Sequence, residues 1–398
     1  MAVLGSKTQS VINELVFNTT TTWACPFDCR AIVTVIGGGG GGGAARNDQG
    51  HIGYAMSAAG GGAGGVAKSI LTLASGTSYV ATCGAGGSSG TTSGDGEDDG
   101  GNGGASTFGV SGASVLLTGN GGNGGGASED AGTNSATGGS GGSASGGNIF
   151  NATGGEGGDA ACTAFSSNGY HLSSGGGGSP GIFGLGYRGG DAAGATNGYS
   201  KVACAGGAGV GGEGGDCTAG FGNAIAVTSF GGSMFGKGQD VSSASTAHAF
   251  QATTLNNAYS YNYKFKGFTT NAVKSHYTSL YYRGSHQADT PSVSIFDGLT
   301  GCAAHIGLDG AITSNAGPGG GSSGAYAGYQ SSYVNMYTSP GIFAGAGGVA
   351  QNGGSGGAYA AAGGTGAGGG GASAHSTTDP VGGMGGSGMV VISILEYL

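Results

Sequence analysis

Apolar and β-branched residues gather in short runs along the chain, and each run borders a block of glycine. Residues 31–36, AIVTVI, lead straight into seven consecutive glycines at 37–43. VAKSILTLASGTSYVATCGAGG at 66–87 sets two such runs either side of a Ser-Gly-Thr turn, and GGMGGSGMVVISILEYL at 382–398 reverses the order and finishes on a run. Alternation of this kind predicts strands over 31–36, 69–73, 79–83 and 389–395.

Between these runs the polar and small residues follow a period of three. Asn120 and Asn123, Ser140 and Ser143, Glu156 and Asp159, then Val210, Glu213 and Asp216 stand three apart in glycine, as do Ser355 with Ala358 and Met384 with Ser387. A glycine chain can take an extended left-handed helix of three residues per turn and ~3.1 Å rise. Several such helices can exchange backbone hydrogen bonds sideways, because no Cβ holds them apart. Collagen shares the period, but its strict register and abundant proline are absent, with only six prolines here. The expected fold class is therefore mostly irregular and β: a polyglycine type II helix bundle flanked by β-strands, with a low-glycine, β-rich insertion. The expected organisation is an N-terminal attachment segment (1–22), a glycine-rich domain in two parts (23–239 and 317–398) and an aromatic-rich insertion (240–316). Polar stretches at 46–59, 88–99, 127–137, 159–174 and 187–204 read as loops emerging alternately at two ends.

Composition sharpens the class. Glycine supplies 102 of 398 residues, far above the usual ~7%. Disordered chains are poor in hydrophobic residues and highly charged, whereas this one is 37% hydrophobic and 8% charged. Its net charge of -9 argues against nucleic acid as a partner. No run approaches the ~18 apolar residues of a membrane span. The opening MAVLGSKTQSVINELVF has no apolar core of signal-peptide length, which predicts synthesis in a cytoplasm without export. Large hydrophobic side chains are few for this length, so a homo-oligomer, most simply a trimer, is expected. Cys25 with Cys29, and Cys204 with Cys217, could pair, and an odd total of seven leaves at least one free.

Glycine nearly vanishes at 240–316, and aromatic and basic residues concentrate there. AYSYNYKFKGF alternates Tyr259, Tyr261, Tyr263 and Phe265 with Asn262, Lys264 and Lys266, a half-buried strand pattern. Tyr277, Tyr281, Tyr282 and Arg283 follow. Aromatic faces beside positive charge suit a polar or anionic glycan, which makes these tyrosines, Lys264, Lys266 and Arg283 the candidate receptor-binding residues. The competing reading is that they form the core of a β-insertion or a subunit contact.

Catalytic signals are weak, and no enzyme activity, cofactor or metal is expected. G-x-S-x-G at 138–142 is a chance match in so much glycine, with no strand leading into a helical elbow. GGSMFGKG at 231–238 nearly matches a phosphate loop, yet Gly238 stands where a Ser or Thr should hold magnesium. Asp95, Glu97, Asp98 and Asp99 carry enough oxygen for calcium, but a solvated loop explains them better. SPGIFGLG at 179–186 and SPGIFAGAG at 339–347 repeat each other, and predict turns at Pro180 and Pro340 with Phe183 and Phe343 packed beneath.

The stretch TTWACPFDCRAIVTVIGGGGGGG at 21–43 resembles the opening of glycine-rich domains in bacteriophage tail proteins. The resemblance continues through GGVAKSILTLASGTSYVATCGAGG at 64–87, through GGNGGASTFG at 100–109, and closes with GGMGGSGMVVISIL at 382–395. Similar domains sit at tail-fibre tips as adhesins, where a glycine scaffold carries loops that touch the host. The resemblance thus implies a virion protein that docks on other virion proteins and binds a host surface glycan or outer-membrane receptor. The alternative is a purely structural virion part, such as a capsid or tail decoration or a fibre subunit.

Overall fold

The computed structural model describes residues 13–47, 54–131, 134–162, 170–180, 185–194, 201–219, 226–229, 231–232, 237–238, 240–242, 305–307, 312–315, 321, 325–327, 336–340, 342–352, 358–360, 362–375 and 379–398. Cys29, Ala31, Val33 and Val35 alternate inward along β3 (Cys29–Ile36), the central strand of a first antiparallel sheet. β3 pairs along its length with β6 (Val66–Leu73) and with β28 (Met389–Tyr397). β1 (Asn13–Phe17) and β14 (Phe150–Ala152) flank them. A second antiparallel sheet runs in the order β13 (Ala144–Ser145), β10 (Val115–Gly119), β9 (Ser106–Val110), β7 (Ser78–Thr82), β2 (Thr21–Ala24). The two sheets share the largest apolar core, including Val33, Leu73, Tyr79, Phe108, Leu117 and Ile392. Tyr79 and Phe108 stack there at 5.4 Å. Each such large buried side chain contributes roughly 1.5–3 kcal/mol.

Three thinner sheets form the other end. The middle one runs β11 (Ala127–Ala131), β5 (Tyr54–Ala58), β16 (Tyr170–Ser173), β18 (Lys201–Cys204), β20 (Ala226–Thr228). One outer sheet runs β12 (Asn134–Ala136), β15 (Ala160–Cys162), β17 (Ala192–Gly194), β19 (Cys217–Ala219), β21 (Val241–Ser242). The other runs β22 (His305–Gly307), β24 (Ala325–Ala327), β26 (Val349–Asn352), β27 (Ala372–His375), β4 (Ala44–Arg46), β8 (Gly96–Asp98). A separate parallel pair joins β23 (Ile312–Asn315) to β25 (Met336–Ser339). Alanine dominates these strands because sheets on both faces of the middle layer leave room for little else. Ala55, Leu172 and Ala203 meet Ala160, Ala192 and Cys217 on one side; Met56 and Ala58 meet Ala45 on the other. All four residues of β16 are buried, and Ser173 Oγ lies 2.7 Å from Ser373 Oγ of the neighbouring sheet.

Glycine segments span the distance between the two ends. Residues 37–43 join β3 to β4, and 59–65 join β5 to β6. Along 37–43 the amide donors rotate among three neighbours: Gly37 and Gly40 donate to Gly65 and Gly62, Gly38 and Gly41 to Gly104 and Gly101, Gly39 and Gly42 to Gly386 and Gly383, all at 2.8–2.9 Å. Carbonyls of the same segment receive Gly87, Gly122 and Gly369 from three further segments. Side chains have no place in this network. A Cβ built on Gly40 would come within 1.9 Å of the Asn123 carbonyl oxygen, and one on Gly42 within 2.0 Å of the Gly370 oxygen.

The predicted polyglycine helix bundle is corrected by this architecture. Among the described residues there is no helix, and the regular elements are twenty-eight strands in several sheets. The period of three has another origin: it marks which positions in a glycine segment face out. Asn120, Asn123, Ser140, Ser143, Glu156 and Met384 are exposed. Gly122, Gly139, Gly142, Gly155 and Gly385 lie between neighbouring backbones, within 2.2 Å of a carbonyl oxygen were a Cβ added. The expected strands appear with slightly different bounds as β3, β6, β7 and β28. The polar stretches do not alternate between ends. All five adjoin the three-sheet end and contain its strands, whereas the first two sheets are joined by short turns in which Gly76, Gly112 and Gly146 adopt φ of 72°, 73° and 87°.

Candidate functional site

A row of aspartates organises the outer sheet built from β15, β17, β19 and β21. Asp159, Asp191, Asp216 and Asp240 each stand immediately before one of these parallel strands. Each carboxylate accepts the amide of the preceding rung. Asp159 N–H donates to Asp191 Oδ1 at 2.7 Å, Asp191 N–H to Asp216 Oδ1 at 2.9 Å, and Asp216 N–H to Asp240 Oδ1 at 2.8 Å. At the other end Asp159 Oδ1 accepts Gly138 N–H at 2.7 Å. Asp is the right length for this task, because it reaches one strand spacing, about 4.8 Å, without leaving the sheet edge.

Two cations bridge neighbouring carboxylates of the row. Arg188 contacts Asp159 Oδ2 at 2.7 Å and Asp191 Oδ2 at 2.6 Å, with Glu156 at 3.9 Å. Lys237 contacts Asp216 Oδ2 at 2.8 Å and Asp240 Oδ1 at 3.1 Å. Partial burial opposes the charge on Arg188, yet Asp191, Asp159 and Glu156 outweigh it and raise its pKa. Lys237 is raised in the same way, desolvation being overcome by Asp216 and Asp240. With both oxygens of Asp159, Asp191 and Asp216 engaged, the ladder is built to hold strands in register. It fixes where the chain enters the sheet, since each aspartate stands one residue before its strand; segments 163–169, 195–200 and 220–225 follow the other ends of β15, β17 and β19, and segment 243–304 follows β21 at Ser242.

The sequence-predicted binding residues Tyr259, Tyr261, Tyr263, Lys264, Lys266, Tyr277, Tyr281, Tyr282 and Arg283 lie outside the described residues. Other candidates have defined surroundings. The lysine of the near phosphate loop, Lys237, belongs to the ladder. Ser140 of the G-x-S-x-G match is exposed on a glycine segment, with its carbonyl accepting Asn123 N–H at 2.9 Å. Of the acidic run, Asp98 Oδ2 accepts Thr91 N–H at 2.8 Å, Asp99 Oδ1 accepts Ala127 N–H at 2.7 Å, and Glu97 accepts the amide of Glu129. No group of three or more metal-ligating side chains occurs among the described residues. Nearby, Arg46 is buried and ion-paired with Asp379, and Asn47 Nδ2 donates to Glu129 Oε1 at 2.7 Å.

The internal repeat is brought together in space. Ser179 N–H donates to the Phe343 carbonyl at 2.8 Å; Phe343 is half-buried with φ of 66°, and Ile342 is exposed. Phe183 lies outside the described residues. All six described cysteines are thiols. Burial, reinforced by the proximity of Cys217, pushes Cys204 well up, and burial likewise raises Cys217, so neither is a reactive thiolate.

The aspartate ladder is what sequence reasoning missed. Its signal is present as Gly-Gly-Asp followed by small residues at 157–161, 189–193 and 214–218, closing with Gln-Asp-Val at 239–241. Residues 16–248 match the family model described as glycine-rich domain. No curated protein matches the chain. As the match spans more than half of the 398 residues, the chain belongs to the glycine-rich domain family.

Proposed function

We propose that the protein is a bacteriophage virion component, a tail-fibre or tail-tip adhesin that binds a host surface receptor through segment 259–283. The observation that carries the reading is the polarity of the scaffold. β1, part of the N-terminal attachment segment, lies in the first sheet, while the aromatic insertion begins at β21, in a sheet at the opposite end of the glycine segments. A chain so arranged can dock on the virion at one end and meet the host at the other. The glycine segments have almost no side chains, and their amides are used on one another, so recognition falls to what interrupts them.

In this reading Tyr261, Tyr263, Tyr277, Tyr281 and Tyr282 stack on sugar faces of a surface glycan, and Lys264, Lys266 and Arg283 meet its anionic or hydroxyl groups. The protein is made in the host cytoplasm, assembles as a homotrimer and joins other virion proteins. Changing Tyr281 and Tyr282 together to alanine is expected to abolish adsorption of particles to cells while the protein remains incorporated. Retained adsorption with loss of the protein from particles favours the second reading, a structural virion part whose insertion is an assembly contact. That reading draws support from the ladder, which keeps strand register and leaves no carboxylate of Asp159, Asp191 or Asp216 open to a ligand.

A further inference from the structure

Cys25 directly follows β2 of the second sheet and Cys29 opens β3 of the first, so the turn CPFDC is the hinge between the two layers of the main core. Their sulfurs lie 4.0 Å apart in van der Waals contact, and both residues are buried. Cys25 Sγ–H also donates to the Phe27 carbonyl at 3.1 Å, which keeps it turned into the bend toward its partner. The rest of the turn is open to solvent at Pro26 and Asp28. It is tied to the C-terminal strand by two contacts: Phe27 packs edge-on against Tyr397 at 4.4 Å, and Leu398 N–H donates to the Asp28 carbonyl at 2.9 Å.

We propose that Cys25 and Cys29 are a thiol–disulfide site, oxidised to an intrachain cystine by low-molecular-weight disulfides of the glutathione class. One cysteine thiolate attacks a sulfur of the small disulfide and expels a small thiolate. The second cysteine, deprotonated, attacks the mixed disulfide at the protein sulfur and expels the other. The protein loses two protons and two electrons, the small disulfide is reduced to two thiols, and one S–S bond forms for the one broken. The sulfurs must close by roughly 2 Å to bonding distance. A five-residue turn with two exposed members can supply this, whereas Cys204 and Cys217 stand on strands locked inside two sheets. The bond joins the two sheets at one corner beside the C-terminal strand, and its formation depends on the redox state of the surroundings.

Burial, then Cys25 and Asp28, push Cys29 up to about 11. The folded protein therefore oxidises slowly at neutral pH, and oxidation during folding, when both thiols are reachable, is fast.

The test refolds the full chain with either dithiothreitol or a mixture of reduced and oxidised glutathione. Free thiols are then alkylated and tryptic fragment 8–30 is weighed. The proposal expects this fragment, from the glutathione sample only, to escape alkylation and weigh two hydrogens less than the reduced form. It also expects an unfolding midpoint several degrees higher, reversed by dithiothreitol. Cys25→Ser and Cys29→Ser should each show the same midpoint in the reductant as in the glutathione mixture. Recovery of both cysteines alkylated, bearing separate glutathiones, or bonded to other cysteines overturns the proposal, and needs no variant to fold.

Discussion

The amide of Asp191 donates to Oδ1 of Asp216 at 2.9 Å, while the carboxylate of Asp191 receives the amide of Asp159 at 2.7 Å. Asp191 therefore satisfies one backbone donor and relies on another carboxylate for its own. Replacing it with alanine strands the amide of Asp159 at a half-buried sheet edge, a loss of about 1–3 kcal/mol. Asp191→Asn keeps an acceptor oxygen and should cost less. Arg188→Gln removes only ion pairs between partly exposed groups, which contribute roughly 0–1 kcal/mol after solvent screening. Urea unfolding of the three variants should rank them in that order. An Arg188→Gln loss exceeding that of Asp191→Ala would show that charge pairing, and not backbone capping, holds the sheet edge.

Glu129 gives stability a pH dependence of definite sign. Burial raises its pKa above 4.5, the Asn47 hydrogen bond partly offsets this, and Asp95, Glu97 and Asp130 push it further up. The folded chain then binds this proton more tightly than the unfolded chain, so stability falls as pH rises from about 4.5 through the raised value. Glu129→Gln keeps an acceptor for Asn47 and removes the titration. Unfolding measured across that window should show the variant gaining on the parent as pH rises. A constant difference would contradict the assignment.

Glycine positions should divide sharply by what surrounds them. A Cβ at Gly155 would stand 1.9 Å from the Tyr187 carbonyl oxygen, and one at Gly122 would stand 2.2 Å from the Gly62 oxygen. Backbone on all sides cannot give way, so Gly155→Val and Gly122→Val are expected to prevent folding. Gly76, with φ of +72° and nothing within 4 Å of a Cβ, should tolerate alanine at a strain of about 1–2 kcal/mol. Circular dichroism and solubility of the expressed variants test this. A folded Gly155→Val protein would mean that the segments are looser than their hydrogen bonds imply.

The apolar framework was legible because Ala31, Leu73, Tyr79, Val390 and Ile392 alternate with less buried residues, and alternation is a local property. The three-sheet end was not. Its strands read AAC, AAG, CTA and ASAH, small residues of low strand propensity that resemble loops until neighbouring sheets leave room for nothing larger. The row of aspartates escaped for a related reason. Asp159 and Asp191 are 32 residues apart and meet only through parallel strand pairing, so the triplet spacing of Glu156 with Asp159 was visible while the ladder was not. Triplet spacing alone suggests a helix, although it records only which side chains escape the packed backbones.

The glycine segments are ordered by their own backbone hydrogen bonds. Hydrogen–deuterium exchange of the purified full chain, followed by mass spectrometry, reads those bonds directly. Amides at 37–43, which donate to three neighbouring segments at 2.8–3.0 Å, are predicted to exchange as slowly as those of β3 and β28. Full deuterium uptake at 37–43 at the earliest times, with β3 still protected, would contradict it.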